Sequence, residues 1–217
     1  MATQIKDLIQ DAIQQSQTTR TSKVTGWKCR LDAYEPSLRM AALACECMVA
    51  DMEAGNEPYW LTLQGVNGCG KTYLLGQVYE QAKRINPGNP LNNPIWPPDW
   101  ETSQRKVYEG GRPATHRMEE QVFSSYLRTG RYNFVNELRD DFFLAFDEVG
   151  ATRDPTNFIA EGVGTLCDNR LGKWTMFCTN LTLGEIAERM DARISSRMLR
   201  NENKFIAITA GDYALKG

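Results

Sequence analysis

The sequence predicts an α/β domain built on a mostly parallel, five-stranded sheet, and three observations carry that expectation. From Tyr59 onward, segments with strand character alternate with segments of helical period. FFLAF (142–146) and KWTMFCTN (173–180) are largely apolar runs of the kind found in strands covered on both faces. The glycine-rich string GVNGCGKT (65–72) joins one such strand to a helix. A length of 217 residues suits one domain of this class with a short appendage.

Taken in order, Ile5, Leu8, Ile9, Ala12 and Ile13 recur at helical spacing, so residues 2–15 are expected to form a short amphipathic helix. Residues 16–30 are polar without a period and read as an irregular arm, which makes 1–30 an N-terminal extension to a main domain at 31–217. EPSLRMAALACECMVADMEAG (35–55) reads as a helix opened by Pro36 and stopped by Gly55. YWLTLQ (59–64) is a strand, and TYLLGQVYEQAKR (72–84) a helix. The stretch 86–113 is dense in proline and carries Trp96 and Trp100, so it is expected to be an inserted loop with one short edge strand. MEEQVFSSYLRTG (118–130) and FIAEGVGTLCDNRLG (158–172) follow as helices, the second weakened by internal glycines. LGEIAERMDARISSRML (183–199) reads as one continuous helix, with Arg189, Arg193, Arg197 and Arg200 on a single face. KFIAIT (204–209) is the last strand, with no helical lid expected after it.

The composition excludes several classes. With 25 Lys+Arg against 27 Asp+Glu the net charge is -2, so the chain is not a globally basic nucleic-acid binder, although local patches stay open. Six cysteines form no C-x-x-C pair and His116 is the only histidine, so a thiolate metal cage is not expected. No apolar run approaches the roughly 18 residues that a bilayer requires. The first residues show no basic segment leading into an apolar one, and a cytoplasmic location is expected.

GVNGCGKT satisfies G-x-x-x-x-G-K-[ST], the phosphate-binding loop. Gly65, Gly68 and Gly70 let the backbone curl so that its N–H groups, with those of Val66, Asn67, Cys69 and the following Tyr73, surround phosphate oxygens at a helix N-terminus. Lys71 would reach the β and γ phosphates, and Thr72 would place its hydroxyl on Mg²⁺. Cys69 is read as a small filler within the loop. The apolar strand ending FDEVG brings Asp147 to the metal and Glu148 to the attacking water. D-x-x-G at 147–150 also occurs in GTPases, but the string nearest to N-K-x-D has Ile206 in place of the aspartate, which disfavours guanine and leaves ATP as the nucleotide.

Together, GVNGCGKTYL, FDEVG, TNL (179–181) and DARISSRM (191–198) resemble the AAA+ ATPases of the DnaC/IstB type over about residues 32–213. That resemblance implies a P-loop αβα sandwich without a C-terminal helical lid. It implies that Asn180 senses the γ-phosphate, that Arg193 is an arginine finger reaching the nucleotide of a neighbouring subunit, and that Arg197 is a second phosphate contact. The function it implies is ATP-driven loading of a replicative hexameric helicase onto single-stranded DNA, in a self-oligomer of cellular or phage origin, with the N-terminal helix gripping the helicase. Trp96, Trp100, Arg105 and Lys106 are candidates for stacking and phosphate contact with the DNA. An IstB-like transposition ATPase and an ATP-binding assembly module with negligible turnover remain the alternatives.

Overall fold

The computed structural model describes residues 27–30, 35–86 and 115–212, with backbone only at 132–135. The expected N-terminal helix and all of the 86–113 insert after Asn86, including Trp96, Trp100, Arg105 and Lys106, lie outside the described residues. Helix α1 (Pro36–Ala54) starts where Glu35 accepts from Leu38 N with Pro36 in the first turn, and it ends on Gly55 at φ 68. Strand β1 (Trp60–Gly65) leads through the glycine loop into α2 (Lys71–Ile85). The rest of the chain adds β2 (Thr115–Glu119), α3 (Glu120–Arg128), α4 (Tyr132–Asp140), β3 (Phe143–Val149), α5 (Phe158–Asn169), β4 (Trp174–Thr179), α6 (Leu183–Ile186), α7 (Ala192–Met198) and β5 (Lys204–Ile208).

The five strands form one sheet in the order β2-β3-β4-β1-β5, and every pairing is parallel. Alternation of side chains along the strands splits the core into two layers. Leu61, Leu63, Phe143, Ala145, Met176 and Cys178 pack under α1 and α2. Trp60, Leu144, Phe146 and Phe177 face the other way and meet Phe123, Leu138, Val163, Ile194 and Met198 from α3, α4, α5 and α7. The result is the expected αβα sandwich, with the C-terminal ends of all five strands at one edge.

Three local expectations are corrected. Thr115–Glu119 form β2 at one edge of the sheet, and its last two residues are ones that the sequence patterns assign to the following helix. α4 occupies a stretch to which the sequence patterns gave no element. The helix from Leu183 is not continuous: a π-helical turn at Ala187–Asp191 ends where Asp191 takes extended backbone (φ -161, ψ 132) and its side chain caps α7 by accepting from Arg193 N. Aspartate is among the strongest N-caps, so the chain stops one helix and starts another there. The arginine stripe is broken accordingly, with Arg189 on a different segment from Arg193 and Arg197.

Beneath the sheet, Arg170 is fully buried. Its guanidinium donates to the carbonyls of Leu138 (3.1 Å), Asp141 (2.6 Å) and Trp174, and its Nε to Thr175 Oγ1 (3.1 Å). Burial lowers its pKa to about 10, against the pull of Asp141 and Asp140.

Candidate functional site

At the C-terminal edge of β1, the loop from Gly65 to Gly70 folds over the start of α2. Gly70 is the N-cap of α2 at φ 99 and offers no side chain to the first helical amides, so these N–H groups face the cleft. Gly68 stands at φ 72, and a Cβ there would collide with the Asp212 carboxylate. Cys69 is buried in the core, as a filler. Lys71 is 7% exposed, and its Nζ donates to the carbonyls of Gly65 and Val66, each at 2.8 Å. The ammonium is therefore held inside the curl of the loop, where an anion would be met by backbone N–H groups, a helix N-terminus and a full positive charge.

A cleft of about 1180 Å³ opens from this loop, and Thr72, Tyr73, Asp147, Glu148 and Asn180 line it beside Asn67 and Lys71. Asp147 ends the buried run of β3 and is 2% exposed, with Oδ1 accepting from Glu148 N at 3.0 Å. Glu148 is exposed at φ 60, and the β3–β4 register shifts between Phe146 and Val149. The irregularity breaks the in-and-out alternation of the strand, so two adjacent carboxylates reach one cleft. Asn180, one residue beyond β4, donates from Nδ2 to Asn67 Oδ1 at 2.7 Å and ties the end of that strand to the glycine loop. The residues fit Mg²⁺ and a nucleoside triphosphate: Thr72 and Asp147 offer the oxygen ligands that this ion prefers, beside a loop whose glycines leave room for phosphate. Among the described residues there is no cluster of three or more His, Cys, Asp or Glu side chains suited to holding a metal without such help.

The arginines are placed elsewhere. Arg193 is exposed, and its guanidinium pairs with Asp191 (Nη2–Oδ2 2.7 Å, Nε–Oδ2 2.9 Å), whose hydrogen bonds and charge raise its pKa further. Arg197 turns inward to an ion pair with Asp168 on α5. Neither lines the cleft of its own chain. Glu185 forms a capping box with Thr182 at the start of α6.

The cleft also contains groups that sequence patterns did not reveal. Trp27, Lys28 and Arg30 form one wall. Gln77 on α2 accepts from Arg30 N (2.8 Å) and donates to Arg30 O (3.3 Å), and Lys28 pairs with Glu46 on α1 (2.8 Å). Arg117 on β2 reaches Asp147 Oδ2 at 3.7 Å. The signal for the first three was only a polar, aperiodic segment, and for Arg117 a charge on a strand with no apolar run.

No protein-family profile and no curated protein matches the chain. Solved structures do. A crystal structure of the DnaC helicase loader superposes with a TM-score of 0.58 at 19% identity, covering 84% of this chain and 98% of that one. DnaI gives 0.60 at 17% identity, covering 89% and 94%. The replication initiator DnaA, bound to AMPPCP and single-stranded DNA, gives 0.52 at 15% identity, covering 87% of this chain and 48% of that one. The chain therefore has the αβα fold of the DnaC helicase loader and of DnaI, shared with part of the replication initiator DnaA.

Proposed function

We propose that this chain is an AAA+ ATPase that loads a replicative hexameric helicase onto single-stranded DNA. The observation that carries the reading is the convergence of Lys71, Thr72, Asp147, Glu148 and Asn180 on one cleft from the ends of three adjacent strands. The N–H groups of the loop and the Lys71 ammonium bind and orient the phosphates. Mg²⁺, held by Thr72 and Asp147, would neutralise charge on the β and γ phosphates. Glu148, exposed in the cleft, takes a proton from the attacking water, and Asn180 reports on the γ-phosphate to the loop through Asn67. Arg193, exposed and outside its own cleft, serves a neighbouring copy, and Arg197 supports it from the same helix.

The loader part of the reading is supported by likeness to DnaC and DnaI over nearly their full matched chains, and the nucleotide and DNA part by likeness to the DnaA complex. The N-terminal extension would supply the helicase contact. Among the described residues no helix is long and apolar enough to cross a membrane, and the reading places the protein in the cytoplasm.

The test has two arms. Phosphate release and binding of a fluorescent ATP analogue are measured for the wild type and Lys71→Ala, with both expected to be lost in the variant. Normal nucleotide affinity in Lys71→Ala would overturn the phosphate site. Capture from the native host is then read for a hexameric helicase held in the presence of ATP; recovery of a transposase instead would replace the loader reading with the transposition one.

A further inference from the structure

One buried carboxylate grips the backbone that carries the cleft's own carboxylates. Glu120 opens α3 directly after β2 and is 1% exposed. Both of its oxygens are engaged: Oε2 accepts from Gly150 N at 2.5 Å and Oε1 from Thr152 N at 2.9 Å. A carboxylate buried this deeply persists only where its oxygens are satisfied, so the two amides and the side chain fix one another.

The gripped turn follows β3, whose last three residues are Asp147, Glu148 and Val149. Glu148 stands at φ 60 and Gly150 at φ 80, and Ala151 N donates to Glu148 O at 3.0 Å, closing the turn. Thr179 Oγ1 on β4 donates to Val149 O at 2.7 Å. A glutamate in left-handed backbone persists only where its surroundings over-determine it. Among these contacts Glu120 supplies the ionic one, and it comes from α3, across the β2–β3 pairing that sets Glu119 beside Asp147.

We propose that Glu120 is a positioning residue for ATP hydrolysis, clamping the Gly150–Thr152 turn so that Glu148 is held in the backbone conformation that aims it into the nucleotide cleft. Glu120 does not line that cleft and so acts through the main chain. The inference rests on the proposed role of Glu148. A purely structural anchor would affect how much protein folds; a positioning residue changes the turnover of the protein that has folded.

The experiment compares the full-length wild type with Glu120→Gln and Glu120→Asp, each checked by circular dichroism and thermal melting. Glutamine keeps one acceptor but turns an NH₂ toward the second amide, while aspartate keeps the charge on a shorter arm. Loosening the geometry by about 1 Å is expected to lower kcat about 10- to 100-fold in Glu120→Gln. KM for ATP and the affinity for a fluorescent analogue stay within about twofold, because the phosphate loop is untouched. Glu120→Asp falls between the two. In a Glu148→Gln background, Glu120→Gln lowers kcat no further, since the group being positioned is already gone. A folded Glu120→Gln protein with wild-type kcat, or one whose loss lies wholly in KM, overturns the proposal while leaving the proposed function standing. A wild type that binds ATP without hydrolysing it overturns the role of Glu148, and this inference with it.

Discussion

Replacing Glu148 with glycine is expected to stabilise the fold while ending turnover. The residue stands at φ 60, in a region that costs an L-residue about 1–2 kcal/mol. Glycine removes that cost but loses more freedom on folding, which takes back about 0.5–1 kcal/mol. The side chain is exposed, so deleting it removes no buried contact. The net gain is about 0.5–1 kcal/mol, which for a chain of this length raises Tm by about 1–4 °C. The assay is thermal unfolding of Glu148→Gly beside Glu148→Ala, because alanine also removes the carboxylate but keeps a Cβ in the same backbone and gains nothing. Both variants still bind ATP and both lose hydrolysis. If Glu148→Gly melts at or below Glu148→Ala, the backbone at this position is not strained and the reasoning fails.

Arg170→Met leaves the carbonyls of Leu138, Asp141 and Trp174 and the Thr175 hydroxyl without their donor, and urea titration is expected to show a loss of about 3–5 kcal/mol. Burial pushes the His116 pKa down, but the charge of Asp141 and its hydrogen bond at 2.7 Å outweigh burial and raise it overall. A raised folded value means that stability is fully present below the unfolded value of about 6.5 and falls as pH rises through the folded one. Chemical denaturation across that window should show the fall in the wild type and its absence in His116→Gln; a flat wild-type profile contradicts the pairing. Mixing Arg193→Ala with Lys71→Ala is expected to restore ATPase activity, since one copy keeps the pocket and the other the finger, and mixtures as inactive as their components would exclude sharing between subunits.

The sequence made legible whatever depends on local chemistry. The turn from Gly65 to Thr72 between β1 and α2 and the carboxylates ending β3 could be placed because their motifs set particular residues at fixed spacing. The central strands could be read because burial on both faces leaves an apolar run, as in Phe143–Phe146. β2 escaped because an edge strand reading THRME buries only Thr115 and Met118, and its trailing glutamates look like the start of a helix. The break at Asp191 escaped because Arg189, Arg193 and Arg197 keep helical spacing across it, and only the capping hydrogen bond distinguishes two helices from one. Glu120 and Arg170 escaped for a different reason. The partners of Glu120 and two of those of Arg170 lie about 30 residues away in the chain, and nothing local marks a charge as buried.

The anchorage by Arg170 has a mechanical consequence. Its acceptors cluster where β3 and β4 begin, whereas the phosphate loop, Asp147, Glu148 and Asn180 stand where strands end. One rim of the sheet is thus riveted and the other carries left-handed residues and a register shift. Amide hydrogen exchange should be slow around Trp174, beside the Arg170 contacts, and slow again at Gly150 and Thr152, whose amides Glu120 holds. A sheet held by Arg170 where its strands begin and by Glu120 where β3 ends would pass a displacement at the cleft rim on to α3 instead of absorbing it.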